Sequence, residues 1–215
     1  MHGHTDMNSQ SPMNGEDQVP VVFDTPVNLP PLESPLFLVH QALRPDALRR
    51  LYELEPQPRL RFVYQGTTQD EAKLAGPLLI DANQPNAEPH FIQGVHEGWG
   101  IALIGSPGLT LGDVDTHFKS LMWAMTPRGR SLFNFALTSA LGGLGGTLDP
   151  TQMNRLLGPL AGLAGTIDGE PWLFRRNQPG RAMAEADPLT LTPENLQHMA
   201  RQRRHRLARA LSRHY

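Results

Sequence analysis

The chain has 215 residues, 39% of them apolar, a formal net charge of −2 and no cysteine. That length fits one medium domain, or one domain with a small annex, and the absence of cysteine excludes disulfides, thiolate metal sites and cysteine nucleophiles. No apolar run approaches the roughly 18–20 residues that cross a bilayer, and the start shows no basic-then-apolar leader. A cytoplasmic protein without membrane contact is therefore expected.

Residues 1–34 carry five acids, no Lys or Arg, and much Asn, Gln, Ser and Pro, which predicts a disordered acidic tail. Leu36-Phe37-Leu38-Val39 reads as a first strand. Pro45 then opens a helix over 46–54, with Leu48, Leu51 and Tyr52 on one face. Alternation from Arg59 to Tyr64 predicts a half-buried strand. Leu78–Ile80 and Ile101–Ile104 read as buried strands, and Phe91 to Val95 as one helical turn. Trp99, between two glycines at the entrance to a strand, is expected to fold over the sheet as core. Thr110 and Asp113 have capping-box spacing ahead of a helix with Leu111, Val114, Phe118 and Leu121 inward. Met122–Met125 and Leu132–Phe135 flank Pro127-Arg128-Gly129-Arg130, a hairpin pattern. Gly142–Gly146 reads as a flexible connector. Asp149-Pro150-Thr151-Gln152 starts another helix, with Met153, Leu156, Leu157 and Leu160 as its apolar face. Pro171-Trp172-Leu173-Phe174 is a last strand. Thr192-Pro193 opens a long C-terminal helix. Its Leu196, Met199, Ala200, Leu207, Ala210 and Leu211 are expected to dock on the body, turning Arg201, Arg204 and Arg209 outward.

The element order predicts an α/β or α+β fold. An N-terminal mixed sheet with flanking helices is expected over 35–140, and a smaller, mostly helical C-terminal lobe over 141–215. Catalytic patterns fail in context. The glycine run lacks a following Lys-Ser or Lys-Thr, and Ile104 stands where a nucleophile elbow around Ser106 needs Gly. His90 and His96 are six apart, unlike zinc ligands on a helix, and Asp113 and Asp115 sit at a helix start that attracts acids anyway. No catalytic residue, cofactor or metal is expected. Six Arg and no acid fall between Arg201 and Arg213. No aromatic interleaves with them and the whole chain is slightly acidic, so nucleic acid is not the expected partner.

A series of short motifs recurs in a specific order. Leu51-Tyr52 is followed by Gly76-Pro77 before an apolar strand, then by Gly98-Trp99 leading to Ser106. The Leu111–Leu121 helix, with His117-Phe118-Lys119, precedes a hairpin turning at Gly129. Leu148-Asp149-Pro150-Thr151-Gln152 runs on to Leu157-Gly158-Pro159, and a Trp-containing strand and a Leu-Thr-x-x-x-Leu helix close the chain. From Leu36 to Phe174 this order resembles the effector adaptors, or effector chaperones, of the bacterial type VI secretion system, which carry the DUF4123 domain. The resemblance implies a protein that binds the N-terminal region of a secreted effector and the spike protein VgrG or a PAAR-type tip. The chain departs from the pattern at an Arg-aromatic-aromatic-Asp-Pro segment. Asn134 replaces the Arg, and Leu137-Thr138 stand where Asp-Pro is expected, a change that bears on partner contacts more than on the fold. The adaptor role would draw its anchors from Trp123, Phe133, Asn134, Phe135 and Trp172, with Arg204 and Arg209 on the terminal helix. Ordinary core is the competing reading for each aromatic. The alternative function is an immunity-type protein that binds and inhibits a toxin.

Overall fold

The computed structural model describes residues 35–83, 86–106, 108–176 and 187–212; the acidic tail lies outside them. The elements run β1 (Leu36–His40), α1 (Ala47–Leu54), β2 (Arg59–Phe62), β3 (Pro77–Asp81), α2 (Ala87–Glu97), β4 (Gly100–Ile104) and α3 (Leu111–Leu121). They continue with β5 (Trp123–Thr126), β6 (Gly129–Leu132), α4 (Thr138–Gly142), α5 (Pro150–Leu157), β7 (Gly162–Ile167), β8 (Glu170–Arg175) and α6 (Pro193–Ser212). Six strands form one sheet in the order β2-β3-β1-β4-β7-β8, and β5 pairs with β6 in a separate hairpin. The fold is thus mixed α/β, as expected, with one correction. Every pairing in the large sheet is antiparallel, so the sheet is not mixed.

The sheet is buried on both faces, which explains why its central strands read as unbroken apolar runs. Along β1 the side chains alternate between two cores. Phe37 and Val39 join Leu51 of α1 and Phe91 and Val95 of α2 on one face. Leu36 and Leu38 join Phe118 and Leu121 of α3, with Phe135, Leu156 and Trp172, on the other. Each fully buried Leu or Phe contributes about 1.5–3 kcal/mol, so this double coverage holds the sheet together.

The predicted caps form. The Thr110 hydroxyl accepts from the Asp113 backbone N–H, and the Asp113 carboxylate accepts from both the Thr110 hydroxyl and its N–H. Those hydrogen bonds hold the Asp113 carboxyl below the usual carboxylate range. At α5, Asp149 accepts from the Gln152 N–H at 2.9 Å.

Other segments differ from expectation. The single turn predicted at Phe91–Val95 is an eleven-residue helix. Its glycine and proline lower intrinsic helicity, and packing of α2 across β4 and β7 overrides that preference. Gly142–Gly146 is not a flexible connector. Leu144 within it is fully buried, and a Cβ on Gly142 would lie 2.3 Å from Ile167 Cδ1. These glycines allow close packing where a linker was expected. Residues 162–175, inside the segment expected to be mostly helical, supply β7 and β8 to the central sheet.

Trp99 is half-buried: it packs against the core on the α1–α2 face of the sheet, with its ring close to α2. A Cβ on Gly94 would come within 2.4 Å of the ring, and the Arg44 guanidinium sits 5.0 Å above it. The indole N–H donates to Glu97 at 2.8 Å. Trp99→Ala is expected to cost about 2 kcal/mol, less than the roughly 3–5 of a fully buried ring, because part of the indole already meets water. Urea unfolding measures this; a loss above 4 kcal/mol would contradict the half-buried placement.

Candidate interaction site

The β7–β8 hairpin turns on Asp168-Gly169, with φ of +53° and +85°. Two consecutive left-handed residues match a two-residue type I′ turn, the geometry that suits the twist of paired strands. Just past the turn, β8 carries Trp172 inward. Its ring is 6% exposed and packs 5.0 Å from Phe174. The indole needs bare backbone beneath it: a Cβ on Gly165 would approach it to 2.4 Å, and one on Gly142 to 2.9 Å. Its N–H is buried with no acceptor among the described residues.

Helix α6 runs past this hairpin and leaves a groove of about 440 Å³. Gly142, Ile167 and Trp172 line it on the body side. His198, Gln202, Arg206 and Arg209 line it from the helix. Two ion pairs bridge its mouth. Arg209 meets Glu170 at 2.8 Å and Arg206 approaches Asp168 at 4.0 Å. Both involve exposed partners, and such pairs contribute only about 0–1 kcal/mol each, so they orient α6 more than they secure it. The start of the helix is held better: Asn195 accepts from the Thr192 N–H at 2.8 Å and donates to Thr147 O at 2.7 Å.

The other expected anchors scatter. Phe133 and Phe135 are buried, and Phe135 stacks on Phe118 at 5.0 Å. Neither ring has surface to offer a partner. Trp123 is half-buried on the β5–β6 hairpin under Arg130, 4.6 Å away. Asn134 is half-buried and donates to His40 Nε2 at 3.0 Å, where burial pushes the His40 ring down. Thr138 ties α4 to the Gly98 carbonyl at 2.9 Å. Asn134, where the adaptor pattern has Arg, thus bonds to His40, and Thr138, where it has Pro, bonds to a backbone carbonyl. Arg204 is exposed on the side of α6 away from the groove. At the groove the structure brings together only Trp172 and Arg209 from the predicted set.

The docking expected of α6 is also corrected. Leu196 and Met199 pack against the core, but Leu207 and Leu211 are 56% and 63% exposed. The side of α6 that meets the hairpin beyond Met199 is polar, so the apolar stripe turns into solvent there. Sequence reasoning missed β7 and the turn after it. The signal was Asp168-Gly169 between strand-forming residues, the strongest short-range hairpin pattern.

Among the described residues no cluster of three or more His, Asp or Glu is placed to hold a metal ion, and no helix is long and apolar enough to cross a membrane. The fold is a mixed α/β protein with a groove between the β7–β8 hairpin and the terminal helix. The chain belongs to the DUF4123 family, whose model, described as a domain of unknown function, matches residues 37–155. No curated protein and no solved structure matches it.

Proposed function

We propose that this DUF4123 protein is an adaptor that binds a type VI secretion effector and carries it to the spike, at VgrG or a PAAR-type tip. The motif order from Leu36 to Phe174 supports the secretion context. The observation that carries a binding role is the outer half of α6, which holds Leu207 and Leu211 in solvent on the side of the helix turned away from the groove. A chaperone of this kind presents apolar surface that its cargo covers. On this reading the sheet and its two cores are scaffold, and recognition belongs to α6 and the β7–β8 hairpin.

The test is co-expression with the effector encoded beside it, followed by size exclusion at micromolar concentration. Co-elution with the effector, and then with the spike, is the expected result. Separate elution would remove the adaptor reading. Binding confined to the toxin's catalytic domain, without spike contact, would replace it with an inhibitor.

A further inference from the structure

Residues 200, 203, 207 and 210 of α6 recur at steps of three, four and three, the period of a coiled-coil seam. They are Ala200, Arg203, Leu207 and Ala210, with Leu211 alongside, and all five are exposed. At about 1.5 Å per residue this seam is some 18 Å long. Between Arg201 and Ser212 the helix has five arginines and no acid. Arg206 and Arg209 meet Asp168 and Glu170, whereas Arg201, Arg203 and Arg204 have no carboxylate partner among the described residues. Arg203 lies in the seam itself and Arg204 flanks it.

We infer that this seam is the docking site for an acidic amphipathic helix of the partner protein. The apolar residues supply burial, and glutamates flanking the partner's stripe would neutralise Arg203 and Arg204. A second copy of the chain fits poorly, because self-pairing would set the seam arginines against each other, and like charges at such positions destabilise. A membrane surface fits less well too. The seam has no aromatic residue, and its apolar content is two leucines and two alanines. The inference rests on the adaptor reading for the identity of the partner, but not for the chemistry of the contact.

The probe is a synthetic three-heptad peptide with Leu at the a and d positions and Glu at e and g, titrated into the full chain at low salt. Saturable binding that weakens as salt rises is expected. The double substitutions Leu207→Ser/Leu211→Ser and Arg203→Glu/Arg204→Glu should each weaken it by about tenfold or more, the scale of central contact residues. Melting should stay close to wild type, since these side chains are exposed. The inference is overturned by no binding by the wild type, by equal binding of a Lys-for-Glu peptide, or by unchanged binding by both variants. Preferential binding of phosphatidylserine vesicles overturns it too. So does a dimer that Leu207→Ser/Leu211→Ser dissolves, or a gain of affinity on removing residues 1–34, either of which would assign the seam to the chain itself. Effector co-elution that survives both variants would sink this inference and spare the adaptor reading. Peptide binding without effector co-elution would do the reverse.

Discussion

Replacing Phe135 with alanine is expected to destabilise the protein by about 3–5 kcal/mol, the range for removing a fully buried aromatic ring. Phe135 is 0% exposed, stacks on Phe118 at 5.0 Å and faces Phe133 at 6.4 Å. Its removal empties the junction between α3 and the segment leading into α4. For a domain of this size each kcal/mol lowers the melting temperature by about 2–4 °C, so a fall of roughly 6–20 °C should appear by calorimetry. Phe135→Leu keeps most of the volume and should lose less than half as much. A Phe135→Ala protein that melts like wild type yet loses its partner would restore this ring to the binding surface.

Stability should also fall by about 3 kcal/mol between pH 6.5 and pH 4 through His117 alone. His117 is buried on α3, and Nε2 donates to Leu156 O at 2.9 Å. Loss of solvent lowers its pKa to about 4, and that hydrogen bond only partly opposes the fall. The unfolded chain, with an ordinary imidazole near 6.5, therefore binds a proton that the folded chain refuses throughout this interval. The full contribution is present above pH 6.5 and is lost as the pH falls towards 4. Burial also pushes His40 and His90 down, so they add in the same direction. His117→Gln keeps a donor for Leu156 O but cannot titrate, so its unfolding free energy should vary less over that window. An unchanged slope would assign the acid sensitivity to other groups.

His117 also shows what the motif order encodes. Its ring lies where a Cβ on Gly158 would be, 2.1 Å from Cε1, and Gly158 has a φ of +53°. The His-Phe pair of α3 and the Leu-Gly-Pro after α5 are thus two sides of one contact. Motifs far apart in the chain resembled a family because packing requires them together, and that packing is largely structural. This explains why so few of the expected anchors reach the surface. A large aromatic in a short motif is a strong sign of a packed core and a weak sign of a partner.

Local chemistry was legible in the sequence. The caps at Thr110 and Asp149, the apolar strands, the β5–β6 hairpin and the start of α6 each depend on a few neighbouring residues, whose spacing determines their geometry. The family was legible as well, through motif order. Tertiary structure alone decided the rest. The antiparallel pairing of β1, β4 and β7 depends on which distant strands meet, and hydropathy does not record strand direction. The glycine run at 142–146 resembled a flexible connector until Ile167 and the Trp172 ring were placed against Gly142. The apolar stripe of α6 has the period of a docked helix. Where the body ends decides which residues are covered, and it leaves Leu207 and Leu211 in solvent.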